Sequence, residues 1–273
     1  MARRPAAPEQ RRSRGLTIGL GVLRRARGIA RSLLMYYGDP AQPRRMARFY
    51  ARFIGPGDLC FDIGAHVGSR IPAWSRLGAR IVAVEPHPTC VRILRRLYGG
   101  APNVELVEAA LGASPGEQVM LVCDREPTVS TLSQEWASTM RRRRRSFATV
   151  RWDRLVVVRV TTLDALIARY GEPVFCKIDV EGYDLEVLTG LSQPLRALSF
   201  EYVPPALDTA LACLDRLRQL GPYEFNWSPG ESMRLQLPDW VDARQVAALL
   251  RSLSDQANPG DVYARLRHEA QGS

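Results

Sequence analysis

Short apolar runs alternate with amphipathic stretches through most of this chain. Residues 58–63 (Asp-Leu-Cys-Phe-Asp-Ile), 79–85, 104–111, 174–180 and 197–203 are compact, apolar and partly β-branched, the pattern of strands buried on both faces of a parallel sheet. The stretches between them carry a helical period. One helix is expected to start at Ser69, with Pro72 in its first turn, Trp74 and Leu77 on its buried face and Gly78 closing it. A second runs over 88–98 with Val91, Leu94 and Leu97 in phase, and stops at Gly99-Gly100. A third is expected to begin at Thr161 with Asp164 completing a capping box, and to end at Gly171. A fourth follows through Leu188, and a fifth carries Leu207, Leu211, Leu214 and Leu217 on one face before Gly221. Residues 223–227 and 233–237, joined through Ser228-Pro229-Gly230, predict a closing antiparallel hairpin. Strand–helix alternation with an antiparallel finish is a doubly wound, Rossmann-like α/β sheet.

One excursion interrupts this alternation. Residues 118–123 and the β-branched run 155–160 predict two strands joined by a polar loop that carries Arg141 to Arg145. Before the first strand, residues 1–15 have a disordered composition, and 16–37 and 44–54 read as helices with basic faces, the second packed on the core. Leu16 to Leu23 is too short to span a membrane. Arg11-Arg12-Ser13-Arg14-Gly15-Leu16 faintly resembles a twin-arginine export signal, but no small-residue cleavage site follows, so a cytoplasmic protein is expected.

The chain has 273 residues and is 46% hydrophobic, enough for one well-buried domain with appendages. Its five cysteines are scattered inside apolar runs without a CxxC pair, which predicts buried reduced thiols. The net charge is +10, and every basic residue is Arg except Lys177. Thirteen Arg lie between Ala2 and Arg52. Both Arg-rich stretches are read as solvated surface, with weak peripheral membrane contact open to the first and phosphate or nucleic acid to the second.

Chemistry concentrates after the first strand, at Phe61-Asp62-Ile63-Gly64-Ala65-His66-Val67-Gly68. A strand, a glycine turn and a helix start expose backbone N–H groups to a ligand. The next strand ends in Glu85, whose two carboxylate oxygens suit both hydroxyls of a ribose. Dinucleotide binding requires glycine two residues after the first, where His66 stands, so the loop favours S-adenosylmethionine over a nicotinamide cofactor.

Further pieces stand in order behind this loop: Val84-Glu85-Pro86, Ala109-Ala110-Leu111-Gly112, Thr162-Leu163-Asp164, Lys177-Ile178-Asp179-Val180-Glu181-Gly182-Tyr183 and Glu186-Val187-Leu188-Thr189-Gly190. Together they resemble the FkbM-type branch of class I S-adenosylmethionine-dependent methyltransferases over about residues 56–205. The resemblance implies a seven-stranded, mostly parallel sheet with an antiparallel last strand, and methyl transfer to an oxygen of a small metabolite, sugar or glycan. It implies cofactor contacts from Asp62, Gly64, His66, Gly68, Glu85, Pro86 and Ala110. His66 replaces the Asn common in the family, which raises the prospect of a pH-sensitive loop. The organisation expected is a basic segment 1–55, a methyltransferase core 56–240 with the excursion 116–160, and a helical tail 241–273. Nothing in the pattern fixes an oligomeric state.

Transfer to an alcohol calls for a group that accepts its proton. Asp179 and Glu181 lie at the end of the fourth core strand, Glu201 at the end of the fifth, and Lys177 shares a strand face with Asp179. Three readings stand: Lys177 and Asp179 as a buried structural ion pair; Asp179 as proton acceptor with Glu181 and Lys177 beside it; or Asp179, Glu181 and Glu201 around a divalent cation such as Mg²⁺. Catalysis by Asp179, Glu181 and Lys177 without a metal is the expectation. His87 is read as a cofactor-edge or surface residue. Two other functions compete. A nucleic-acid methyltransferase fits the charge, but the fourth strand leads into Asp179-Val180-Glu181-Gly182 instead of the Asn/Asp-Pro-Pro-aromatic turn used for base amino groups. A non-catalytic nucleotide-binding module would lack the acid at Glu85 or block the glycine loop, and this chain does neither.

Overall fold

A computed structural model describes residues 26–267. Expectations placed on residues 1–25, including the export signal, and on the last six residues lie outside it. A seven-stranded sheet has the order β3-β2-β1-β7-β8-β10-β9. Its strands are β1 (Leu59–Ile63), β2 (Arg80–Val84), β3 (Val104–Val107), β7 (Phe175–Ile178), β8 (Ala197–Tyr202), β9 (Tyr223–Pro229) and β10 (Gly260–Leu266). The strands from β3 to β8 run parallel, and β10 is antiparallel to both its neighbours. All five residues of β1 are buried, as a strand covered on both faces requires. The helices are α1 (26–37), α2 (Gln42–Tyr50), α3 (Ile71–Arg76), α4 (Pro88–Tyr98), α5 (Gln134–Arg143), α6 (Leu163–Tyr170), α7 (Asp184–Thr189), α8 (Leu207–Leu220) and α9 (Ala243–Arg251). A second sheet, β4-β6-β5, is formed by β4 (Ala110–Leu111), β5 (Gly116–Val122) and β6 (Arg154–Thr161).

Within the described part of the basic N-terminal segment, α2 packs into the core. Met46, Phe49 and Tyr50 on α2 are buried, and Tyr50 meets Trp74 and Phe175 edge-on at 5.5 Å while Phe49 meets Tyr263 at 5.1 Å. Each such buried ring is worth about 1.5–3 kcal/mol of transfer free energy, so α2 is anchored although its outer face is arginine-rich.

Several expectations are corrected. Residues 104–111 do not form one strand: the chain turns at Glu108, and Ala110–Leu111 joins the second sheet beside β6. The loop holding the Arg run is mostly helix α5, capped by the Ser133 hydroxyl and buried through Trp136, Ala137 and Met140. α3 starts at Ile71 without a side-chain cap, and Thr162, not Thr161, caps α6; Asp164 instead accepts from the Ser192 amide. The 233–237 hairpin arm does not form. β9 pairs with β10, whose residues 260–264 are all buried, whereas the 233–237 segment is tied to β9 mainly by the Asn226 side chain and the Gln236 amide. The tail expected to be helical thus supplies α9 and an interior strand, β10, between β8 and β9. The five thiols are free and buried, as expected. Among the described residues no helix is long and apolar enough to cross a membrane.

Candidate active site

The parallel strands deliver the glycine loop, Glu85, Asp179 and Glu201 to one edge of the sheet. Gly64 takes φ +83° there. A Cβ on it would run into the Asp179 backbone carbonyl, so this glycine is required for the β1 and β7 loops to pack together. Gly68, at φ +86°, faces Tyr98, Ile71 and Leu94 and lines neither cleft of the site. A Cβ there would crowd these three side chains, so this glycine is needed for packing.

The main cleft, about 540 Å³ including space open to solvent, lies between Gly64, His66, Glu85, Pro86, Ala110 and the β7 loop. Glu85 is buried and accepts the His66 and His87 amides, one on each oxygen, both at 2.7 Å. Burial raises its carboxyl to about 7 against the pull of those donors. Each oxygen keeps a further lone pair for a ligand hydroxyl. His66 stands in the left-handed region at φ +52°, with both ring nitrogens buried and unpartnered among the described residues. Burial lowers its imidazole to about 4, so it is neutral near pH 7 and no pH switch. His87 is buried too, and its Nδ1 caps α4 by accepting the Thr89 amide at 3.1 Å. It is a structural cap.

A second cleft of about 450 Å³ adjoins the first across Gly64 and His66. Asp62 lines it with Oδ2 unpartnered among the described residues, its carboxyl raised to about 6 by burial. Arg70 is buried and pairs with Glu231 at 2.9 Å. Tyr36 on α1 also lines this cleft, edge-on to His66 at 5.9 Å, and the Tyr37 hydroxyl donates to the Val67 carbonyl at 2.8 Å. Sequence reading missed this role for α1. The only signal was the Tyr36-Tyr37 pair at the end of a basic helix.

The acids meet beyond Gly64. Asp179, Glu181 and Glu201 bring carboxylate oxygens within 4.8 Å of one another, a set able to hold a hard cation. Glu181 reaches the others because its backbone is left-handed, φ +54°, not because β7 continues; the strand stops at Ile178. The excursion holds this kink. The Thr131 hydroxyl donates to the Glu181 carbonyl at 2.7 Å, and Trp136 packs where a Gly182 side chain would lie. Burial, then the neighbouring acids Asp179 and Asp184, raise Glu181 well above the usual carboxylate range. Burial, then Glu181, Asp179 and Asp184, do the same to Glu201, whose Oε2 is buried without a partner among the described residues.

Lys177 is 1% exposed and is shared by two acids, Asp261 on β10 at 2.8 Å and Asp179 at 3.1 Å. Burial would lower its ammonium, but Asp179 and Asp261 outweigh that and hold it charged. Asp261 is the partner sequence reading missed, because it lies on the strand read as tail. Pairing with Asp261 leaves the Asp179 carboxylate, 35% exposed, facing the cleft.

Comparison with known proteins agrees with this arrangement. The family described as "Methyltransferase FkbM domain" matches residues 62–211, more than half of the chain. A comparison with curated proteins returns no match. Among solved structures, precorrin-6y C5,15-methyltransferase from Geobacter metallireducens GS-15 is 15% identical, covers 82% of this chain and 87% of its own, and superposes with a TM-score of 0.41. A TehB-like methyltransferase from Corynebacterium glutamicum ATCC 13032 is 11% identical over 87% of this chain and 94% of its own, with a TM-score of 0.42. These distant likenesses say nothing of the acceptor. The match spans β1 to the start of α8, the elements that carry the glycine loop, Glu85 and the sheet-edge acids; the chain therefore belongs to the FkbM methyltransferase family, and its cofactor is S-adenosylmethionine.

Proposed function

We propose that the protein transfers the methyl group to a hydroxyl oxygen of a small metabolite, sugar or glycan, with Asp179 taking the hydroxyl proton. The carrying observation is the convergence of Asp179, Glu181 and Glu201 within 4.8 Å beside the glycine loop. Glu85 would hold the ribose hydroxyls, Pro86 and Ala110 would flank the adenine, and Asp62 with the loop around Gly64 and His66 would hold the amino-acid end. The orphaned Asp62 Oδ2 and His66 ring nitrogens fit a ligand with several polar groups. The cofactor, when bound, supplies a methyl already activated on a sulfonium. What remains for the chain is positioning, worth up to ~7–11 kcal/mol, and removal of the acceptor proton, worth ~10²–10⁴-fold. Lys177 keeps the Asp179 carboxylate oriented, and Glu181 and Glu201 share a proton instead of opposing it with two more charges.

A divalent cation on the same three acids is the second reading, favoured by that mutual approach. Nucleic acid is the weaker reading for the acceptor: the Arg run is mostly exposed, but three of its five side chains are already held by other parts of the chain. Arg143 pairs with Asp255 at 3.0 Å, Arg144 donates to the Ala257 carbonyl at 3.0 Å, and Arg141 lies over Trp152 at 5.3 Å. The test supplies ¹³C-methyl-labelled donor with pools of metabolites and oligosaccharides, with and without chelator. An oxygen-bound methyl in a chelator-resistant product supports the reading. A nitrogen- or carbon-bound methyl contradicts it, and loss to chelator with recovery on Mg²⁺ moves the metal reading forward.

A further inference from the structure

The second cleft is lined by two opposite charges that do not pair with each other. Asp62 and Arg70 are 3% and 5% exposed, and both stand on its wall with Gly64 and His66. Neither oxygen of the Asp62 carboxylate has a hydrogen-bond or ion-pair partner among the described residues. Arg70 has five N–H donors, of which Nη1 gives one to the Ser69 hydroxyl at 3.1 Å and Nη2 one to Glu231 at 2.9 Å, while Nε has no partner among the described residues. The two are near enough to feel each other: after burial, Arg70 is the largest influence on the Asp62 carboxyl and pulls it down. Buried charges are ordinarily paired, so both call for a partner.

A carboxylate in this cleft finds few other donors. Lys177 is charged, but its three protons already go to Asp179, Asp261 and the Ile178 carbonyl. His66 is neutral near pH 7. The glycine loop offers no more at its turn, because the Gly64 and Ala65 amides donate to the Val84 carbonyl, the His66 amide to Glu85 and the Gly68 amide to the Ala65 carbonyl. Arg70 is therefore the cation on this wall with N–H groups to give. Burial works against its charge, but Glu231 and the acids behind it outweigh that. Asp62 offers the reverse, acceptor oxygens for an ammonium. A ligand end carrying both charges satisfies both walls at once and brings no net charge into a buried site.

We propose that Arg70 binds the carboxylate at the amino-acid end of S-adenosylmethionine while Asp62 takes its ammonium, so that the pair selects a zwitterion. The proposal rests on placing that end at Asp62 and the glycine loop, and it does not depend on which atom receives the methyl group. Bonds to Ser69 and Glu231 fix the guanidinium on the cleft wall.

Calorimetry on the full chain at pH 8, above the value of about 6 for Asp62, compares three probes. They are S-adenosylhomocysteine, its decarboxylated analogue, which keeps the amine, and 5′-methylthioadenosine, which lacks the amino-acid end. S-adenosylhomocysteine is expected to bind roughly 10- to 100-fold tighter than the decarboxylated analogue. Arg70→Gln should erase that difference while both truncated probes bind as they do to the wild type, which also shows the variant folded. Arg70→Lys keeps a buried charge beside Glu231 and should keep part of the preference, so it carries the test if the Gln variant does not fold. Equal binding of S-adenosylhomocysteine and the decarboxylated analogue to the wild type overturns the proposal. So does an undiminished preference in either variant, or an equal loss on all three probes, which makes Arg70 a structural residue. If S-adenosylhomocysteine binds no tighter than 5′-methylthioadenosine, the placement of the amino-acid end falls as well. If it binds tighter than 5′-methylthioadenosine but only as well as the decarboxylated analogue, that placement stands and the role of Arg70 falls.

Discussion

Glu85 and Glu181 are both buried acids at the same sheet edge, yet they are built differently. Two backbone amides, those of His66 and His87, hold Glu85 in one position, and its carboxyl rises only to about 7. Glu181 has no donor on its side chain among the described residues; it faces Asp179 and Glu201, and is pushed well above the ordinary range. A carboxylate fixed by amides is a stationary acceptor, suited to a ligand hydroxyl that binds and leaves unchanged. Carboxylates crowded against one another cannot all be ionised, and so form a place where a proton or a cation must come and go. In the proposed function, one edge of one sheet thus separates binding from chemistry.

Breaking the binding side should have the larger effect on cofactor affinity. Glu85→Ala removes the proposed acceptors of two hydroxyls and frees two amides, and should cost on the order of 2–4 kcal/mol of S-adenosylhomocysteine affinity by calorimetry. Gly182→Ala acts on the chemical side. Gly182 sits at φ +82° against Trp136, so the added methyl should displace α5, lower stability by roughly 1–3 kcal/mol in thermal unfolding and reduce methyl transfer, with cofactor affinity nearly kept.

The pH dependence of Glu85 sharpens the contrast. Its folded carboxyl lies at about 7 against an ordinary 4.5, so the folded protein keeps a proton that the unfolded chain releases. This contribution is fully present below about 4.5 and is lost as pH rises through 7. Glu85→Gln lacks it, so the variant's melting temperature should climb relative to wild type over that window. Cofactor hydroxyls donate to the ionised form, so wild-type affinity should rise with pH over the same window and the variant's should stay flat. The smallest effect is expected at Arg143→Gln, whose half-exposed ion pair with Asp255 is worth at most about 1 kcal/mol and touches no cofactor contact.

What the sequence made legible follows the reach of local patterns. β1, β2 and β7 were visible as short apolar runs, and Glu85 was placed by the strand that ends just before it. Lys177 with Asp179 was visible from strand period. The partner Asp261 was not, because β10 lies between β8 and β9 in the sheet yet arrives some 80 residues after Lys177, and nothing local marks it as the neighbour of β8. Gly64 and Gly68 looked alike in the loop, but only tertiary packing distinguishes the one pressed on Asp179 from the one pressed on Tyr98. α5 was hidden because five consecutive arginines outweighed the Trp136, Ala137 and Met140 spacing in a reading of polarity. Tyr36 depends on how α1 crosses the glycine loop, which no periodicity encodes.

In the proposed function Asp179 accepts the acceptor's proton, while Lys177 and Asp261 hold the strand end without it. Asp179→Asn tests this in one preparation, by S-adenosylhomocysteine affinity, melting temperature and transfer of labelled methyl to the acceptor pool. Lys177 keeps Asp261 at 2.8 Å in the variant, so the account predicts near-native affinity and melting with transfer reduced ~10²-fold or more. A steep loss of melting temperature, with the remaining folded protein transferring methyl at the wild-type rate, would contradict it and make Asp179 a structural partner of Lys177.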